Sequence, residues 1–105
     1  MADNKRYKVI VSDRARRMLE THIRFMAQAN KQAAVAKKKE IMTAMRSLSQ
    51  VPQRFPFFEG LYIAPNKYHK LFIEKWYLVL YQIQDDTVYV EYILDCRKDY
   101  SWLVR

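Results

Sequence analysis

The sequence has few of the residues that interrupt regular structure. It contains one glycine, Gly60, and three prolines in 105 residues, which leaves little room for flexible linkers. Half of the residues are apolar, and no internal repeat or low-complexity tract is present. We therefore expect a single domain over residues 1–105, built around one modest hydrophobic core.

Cysteine and histidine are also scarce. Cys96 is the one cysteine and cannot form an internal disulfide, and the two histidines, His22 and His69, show no spacing typical of a zinc site. No apolar run approaches the roughly 20 residues that cross a bilayer, and the polar N-terminus lacks the apolar core of a signal peptide. The sequence thus predicts a cytoplasmic protein with no membrane contact, metal or cofactor.

Acidic residues are depleted in the first part of the chain. Residues 1–46 hold 12 Lys and Arg residues against 4 Asp and Glu, whereas residues 47–105 hold 7 of each, so the formal charge of +8 belongs to the first part. Such a positive field favours nucleic acid, the ribosomal surface or an acidic protein as partner, although a merely soluble basic surface has the same composition.

Three apolar runs between residues 68 and 94 predict β-strands, at residues 71–73, 76–83 and 88–94. The polar residues 84–87 suit a tight turn, so the last two strands should form an antiparallel hairpin. Strict alternation divides the last strand into two faces, with Val88, Val90 and Tyr92 opposite Tyr89, Glu91 and Ile93. The aromatic residues of these strands favour core packing over a surface for base stacking.

A short strand and two helices are predicted before these three strands. Residues 7–11 form a short first strand, and Ser12 or Asp13 caps a helix whose apolar stripe consists of Ala15, Met18, Leu19, His22, Ile23 and Met26. A second helix begins near residue 31 and ends at Pro52, with an apolar face of Ala34, Val35, Ile41, Met42, Met45 and Leu48. Its exposed side carries Lys37, Lys38 and Lys39. Both helices should pack on one sheet face, because neither is stable alone.

Two segments complete the expected fold. The connector at residues 53–60 carries three phenylalanines, and at least two of their rings should be buried because an exposed cluster of three is costly. Residues 101–104 are predicted to form a last helical turn that docks Trp102 and Leu103. The expected fold class is α+β, in the order strand, two-helix hairpin and three-stranded antiparallel meander.

This order, together with several short motifs, resembles the RelE/ParE superfamily of toxins from type II toxin-antitoxin systems. The motifs are YHKL at residues 68–71, YLVLY at 77–81, an acidic turn followed by TVYV at 87–90, and RKDY at 97–100. The resemblance spans nearly the whole chain. It implies a microbial toxin that a cognate antitoxin holds inactive, and the basic helices offer a groove for an acidic amphipathic segment of that antitoxin.

The superfamily contains two activities, and the fold does not distinguish them. RelE-like members cleave mRNA on the ribosome without a metal, and ParE-like members poison DNA gyrase. The basic and aromatic residues near the strand ends favour the mRNA nuclease, which is the function we expect. Leu78 and the long paired helices favour the alternative, a gyrase inhibitor. A non-catalytic, degenerate toxin that acts only through antitoxin binding is a third possibility.

The resemblance also implies which residues would form a nuclease site. Arg97 would stabilise charge on the phosphate, His69 would carry a proton, and Tyr100 would stack on a base or donate its hydroxyl. The RNA backbone would be held by Lys67, Lys70, Lys75 and Lys98. Each residue has a structural alternative: His69 fits a solvated strand face equally well, and Lys70 and Lys75 fit charges that protect a sheet edge.

Two positions depart from the nuclease pattern. Leu78 stands where the well-known RelE-like nucleases carry an arginine in the middle strand. Asp95 stands where many relatives carry His or Tyr, and its carboxylate would repel RNA unless it is paired or protonated. A structural ion pair of Asp95 with Arg97 or Lys98 is the favoured interpretation. The nuclease mechanism requires Arg97 and His69 to share one pocket.

Overall fold

The computed structural model describes residues 5–59 and 64–97. The elements follow the predicted order, with two 3₁₀ turns at Ser47–Ser49 and Pro52–Arg54 in the longer connector that joins the second helix to the second strand. The helices are α1 (Asp13–Ala29) and α2 (Lys31–Arg46), and the strands are β1 (Lys8–Val11), β2 (His69–Ile73), β3 (Tyr77–Gln84) and β4 (Thr87–Asp95). Among the described residues, no helix is long and apolar enough to cross a membrane.

The described strands form one sheet in the order β1-β4-β3-β2. The strands β2, β3 and β4 pair antiparallel, as a meander does, and β1 joins β4 in parallel. A parallel pair of strands needs a long crossover connection, and the helical hairpin is part of the chain segment that connects β1 to β4. The predicted α+β fold is confirmed. The predicted helical turn at residues 101–104, with Trp102 and Leu103, lies outside the described residues.

A side-chain cap fixes the N-terminus of each helix in the hairpin. The Ser12 hydroxyl accepts a hydrogen bond of 3.0 Å from the Ala15 amide at the start of α1, and the Asn30 side chain accepts one of 3.0 Å from the Ala33 amide at the start of α2. These caps satisfy amides that have no partner inside the helix. A single residue, Asn30, therefore separates the two helices.

Three details of the second helix differ from the prediction. It ends at Arg46, well before Pro52, and a 3₁₀ turn then carries Leu48 into the core. Val35 is 68% exposed and does not belong to the apolar face. Lys37 is not a free surface charge either, because its ammonium binds Glu40 and Glu74 and so ties α2 to the turn after β2.

The core has two clusters, one on each face of the sheet. The larger lies between the helices and the sheet, where Leu19, Ile41 and Met45 meet Val79 and Ile93. The smaller lies on the opposite face and consists of Phe58, Tyr68, Leu78, Leu80 and Leu94. Phe58 is buried in this second cluster and Phe55 packs against the first, which confirms that two of the three connector rings cover the core.

The predicted alternation of β4 is wrong beyond Val90. Leu80 of β3 pairs with Tyr92 and the next residue, Tyr81, pairs with Val90, so Glu91 is an extra residue in the ladder. Such a bulge exchanges the two faces of the strand downstream. As a result Ile93 joins Val90 in the helix-side cluster, and Tyr92 packs against the second cluster.

Helix α1 covers the part of β4 that the short strand β1 leaves open. The Ser12 amide donates to the Val90 carbonyl at 2.9 Å, and the Ser12 hydroxyl donates to the Glu91 carbonyl at 3.3 Å. His22 Nε2 lies 2.8 Å from the Ile93 carbonyl oxygen, which can only accept, so Nε2 carries the hydrogen. His22 thus has the structural role predicted for it, at the edge of the core.

Candidate functional site

Arg97 lies just beyond the end of β4 and is held there by Asp95. The Arg97 amide and Nε donate to Asp95 Oδ1 at 2.9 and 3.2 Å, and Nη2 donates to Oδ2 at 3.3 Å. Nη2 also donates to the Tyr77 hydroxyl at 3.4 Å. The guanidinium carbon lies 4.7 Å from the centre of the Trp76 ring. Five contacts therefore fix this arginine in one orientation.

The electrostatics of this end follow from the Asp95 and Arg97 pair. The Asp95 side chain is 2% exposed, against 47% for Arg97. Burial opposes ionisation of the Asp95 carboxyl, but the hydrogen bonds and charge of Arg97 outweigh it and lower its pKa below the ordinary value. The same hydrogen bond raises the pKa of Arg97. The ion pair predicted between these two residues is present.

A cavity of about 390 Å³ opens beside Arg97. Its walls come from the end of α1 and the start of β3, through Phe25, Met26, Gln28, Ala29, Tyr77 and Arg97. Phe25 is 55% exposed, and Trp76, whose ring contacts the guanidinium, is 43% exposed. We call Phe25, Trp76, Tyr77 and Arg97 the Arg97 cluster.

His69 lies at the other end of the β2–β3 ladder from Tyr77, in a closed environment. Its ring stacks on Tyr81 with centroids 5.3 Å apart and contacts the Phe57 ring at 4.2 Å. Nδ1 lies 2.7 Å from the Phe55 carbonyl oxygen, so it carries a hydrogen and donates. The residue is 9% exposed. Neither a solvated strand face nor an open proton-transfer site describes this position.

The single pocket predicted for Arg97 and His69 is not formed. His69 pairs with Tyr81, whereas Asp95 pairs with Tyr77, four residues away on β3. At roughly 3.3 Å per residue, that register separates the two ends by about 13 Å along the strand. The structure therefore does not support a nuclease mechanism that combines both residues in one pocket, and the separate roles of Arg97 and His69 stay predictions.

The predicted lysines are also dispersed. Lys70 is partly buried and follows His69 on β2, so it points to the opposite sheet face. Lys67 is exposed with its ammonium 5.4 Å from the Tyr68 ring, and Lys75 is exposed in the turn beside Trp76. Of these three, Lys75 alone lies next to a residue of the Arg97 cluster in the chain. Lys98 and Tyr100 lie outside the described residues, and their roles stay predictions.

The middle-strand position at which the nuclease pattern has arginine is enclosed. Leu78 is fully buried in the second core cluster, among Phe58, Tyr68, Leu80 and Leu94. An arginine at this position would have to place its charge in an apolar environment, which is strongly unfavourable. Leu78 therefore has a packing role.

Sequence reasoning did not find Phe25 or assign a surface role to Trp76. Phe25 follows His22 by three residues and Met18 by seven, so it lies at the margin of the apolar stripe of α1. The signal that could have identified it is a large aromatic residue at the border between the apolar and the basic face of an amphipathic helix. Trp76 was grouped with the packing aromatics, yet nearly half of it is exposed.

Comparison with known proteins identifies the family. The sequence matches the family model described as ParE toxin of type II toxin-antitoxin system, parDE, over residues 9–100. The chain belongs to the ParE toxin family. It is therefore the toxin component of a type II toxin-antitoxin system, and a cognate antitoxin is its partner.

A solved structure agrees with this ParE assignment at the level of fold. The structure is that of a chromosomal ParDE toxin-antitoxin system from P. aeruginosa, which matches with a TM-score of 0.71 at 13% identity. The match covers 87% of this chain and 97% of the other chain. A search of curated proteins found no match to this ParE-family sequence.

Proposed function

We propose that this ParE-family toxin inhibits DNA gyrase by binding it, and that it does not cleave mRNA. The family match supports the gyrase alternative, since the resemblance assigned gyrase poisoning to the ParE-like branch. The main observation in support of this proposal is that the predicted nuclease residues His69 and Arg97 lie at two separate sites, too far apart to act on one phosphate.

RNA cleavage by a 2′-hydroxyl needs a base, an acid and a charge-stabilising group around one phosphate. In the described part of the chain, His69 is enclosed by the connector, and Asp95 already neutralises Arg97. Burial raises the pKa of both Tyr77 and Tyr81, so their phenols stay protonated near neutral pH. None of these groups is placed to act as a base toward a phosphate at Arg97.

The Arg97 cluster suits protein binding better than catalysis. Tryptophan, tyrosine and arginine are the residue types that most often dominate binding energy at interfaces. Here Tyr77 and Arg97 line an open cavity together with Phe25, and Trp76 stacks on the Arg97 guanidinium. Arg97 is already oriented by Asp95 and Tyr77, so little side-chain freedom is lost on binding. We propose this cluster as the contact surface for gyrase.

Two reconstituted assays test the proposed function. In the first, purified toxin is added to gyrase, ATP and relaxed plasmid DNA, and we expect supercoiling to fall with toxin concentration. In the second, toxin is added to ribosomes that translate a defined mRNA, and we expect the transcript to stay intact. Antitoxin added before the toxin should restore supercoiling. Site-specific transcript breaks with unchanged supercoiling would establish the nuclease instead.

We propose further that the antitoxin segment is acidic and binds the helical hairpin. Exposed cations line α1, with the Arg14 guanidinium 4.5 Å above the Tyr92 ring and Arg16, Arg17 and Arg24 exposed along the same helix. The affinity of an acidic segment for these exposed arginines should fall as the salt concentration rises. Titration calorimetry of the toxin and antitoxin over a range of salt concentrations measures this. An affinity independent of salt would exclude the acidic-segment proposal.

A further inference from the structure

A second cavity lies where α2 ends, away from the Arg97 cluster. Its volume is about 540 Å³, and its lining comes from the last turn of α2 and the following connector: Thr43, Arg46, Ser47, Ser49, Gln50, Val51 and Arg54. None of these described lining residues is acidic, and no carboxylate of the described chain pairs with either arginine. Two cationic groups therefore face one cavity without a counter-charge.

Arg54 is fixed in the cavity wall by its own connector. Nη1 donates to the carbonyls of Gln50 and Val51, the latter at 3.0 Å, and Nη2 donates to the Ser47 hydroxyl at 3.2 Å. A guanidinium has five N–H groups, so Nε–H and one hydrogen of Nη2 have no hydrogen-bond partner in the described chain. The charge is thus oriented while part of its donor capacity is free.

Arg46 supplies a second guanidinium to the cavity lining. It is exposed, and its described side-chain contact is a long one of 3.5 Å from Nη2 to the Thr43 hydroxyl. Thr43, Ser47, Ser49 and Gln50 add neutral polar residues to the same lining. The negative end of the α2 dipole is weak, acts only within the last turn, and is opposed here by two full positive charges.

We propose that this cavity binds a phosphate group, carried either by a free nucleotide or by a nucleic-acid backbone. Phosphate presents several oxygens to planar guanidinium forks, and two arginines with neighbouring neutral donors match it better than they match a single carboxylate. This inference does not rest on gyrase inhibition. A toxin that binds phosphate here can still act through the separate Arg97 cluster.

The test compares two arginine variants of equal charge. Arg46→Gln removes one guanidinium from the cavity, while Arg24→Gln removes one from the exposed side of α1, near the other end of the helical hairpin. The probes are ATP, measured by titration calorimetry, and a short fluorescein-labelled DNA duplex, measured by anisotropy. In the wild-type protein, ATP or the duplex should also shift the backbone amide NMR signals of Ser49 and Gln50.

The expected loss of affinity in Arg46→Gln is about tenfold, which corresponds to one charge-assisted contact. Arg24→Gln should change the same dissociation constant by less than about twofold once diffuse attraction is accounted for. A specific loss with ATP alone identifies a free nucleotide, and a specific loss with the duplex identifies a nucleic-acid backbone. Equal effects of the two variants, or unshifted Ser49 and Gln50 signals with both probes, would overturn the proposal.

Discussion

The two ends of the β2–β3 ladder, at Tyr81 and at Tyr77, differ in how they are covered. At the Tyr81 end, the connector encloses the sheet: Tyr81 donates to the Pro52 carbonyl at 2.7 Å, and His69 is stacked and hydrogen-bonded beside it. At the Tyr77 end, the buried phenol accepts from Arg97, and an open cavity lies next to it. Both tyrosines are buried, but only the Tyr77 end leaves functional groups accessible to a partner.

This difference separates two kinds of polar residue that look alike in a sequence. His69 and Arg97 both stand at strand ends next to aromatic residues, yet the first stabilises the fold and the second faces a cavity. The chain segment that passes over each end decides the outcome. Phe55 and Phe57 cover His69, whereas the end of α1 only borders Arg97.

The largest effect is expected from truncation at the closed end. Tyr81→Ala should lower the free energy of unfolding by about 4 kcal/mol, because it removes a fully buried ring and leaves a cavity. Phe25→Ala at the open end should cost less than about 1 kcal/mol, since more than half of that ring is already in water. Urea unfolding followed by circular dichroism measures both values. Similar losses for the two variants would show that the ends are equally packed.

A smaller effect is expected from the ion pair at the open end. Asp95→Asn should lower the free energy of unfolding at pH 7 by about 2 kcal/mol, the range for hydrogen bonds to a charged group. Asp13→Asn is the matched control, and it should cost less than about 1 kcal/mol because the Asp13 and Arg16 pair is 3.8 Å long and exposed.

The pH dependence of the Asp95 contribution has a definite sign. Arg97 lowers the pKa of Asp95 in the folded state, so the folded protein binds fewer protons than the unfolded chain near that pKa. The stabilisation is complete above the unfolded pKa of about 3.9 and is lost as the pH falls through the lower folded value. The gap between wild type and Asp95→Asn should therefore narrow below about pH 4. A gap that widened in acid would show that the carboxyl is protonated in the folded protein.

Surface substitutions in the Arg97 cluster test whether the open end is the working surface. Phe25→Ala and Trp76→Ala should each raise the toxin concentration that half-inhibits supercoiling by about tenfold, as expected for interface residues of this type. Phe72→Ala is the control, because Phe72 is equally exposed on β2, away from the Arg97 cavity. An inhibition curve that shifts with Phe72→Ala and not with Phe25→Ala would relocate the gyrase contact.

Local patterns predicted the elements of this fold, and tertiary contacts decided its sites. The helical stripes, the caps at Ser12 and the β3–β4 hairpin follow from short-range rules, and the structure has them. The bulge at Glu91 did not follow from the sequence. A bulge inserts one extra residue into one strand of a pair, and the alternation of residue types along that strand does not mark where the extra residue lies. Nor did the enclosure of His69, which depends on where a connector with few sequence constraints passes over the sheet.

The smallest effect concerns the connector that closes the Tyr81 end. Val51 has a φ of 43°, a left-handed conformation that is unfavourable for a β-branched residue, and it precedes Pro52, whose carbonyl accepts from Tyr81. Val51→Gly should relieve that strain and raise the free energy of unfolding by about 1 kcal/mol.

The matched control for Val51→Gly is Val35→Gly, which changes an equally exposed valine inside α2. There the glycine should destabilise by about 1 kcal/mol or less, because the helical φ suits valine and glycine lowers helix propensity. Thermal unfolding of the two variants should therefore shift in opposite directions. If both variants were destabilised, Val51 would not be strained. The connector would then cover Tyr81 and His69 without a conformational cost at Val51.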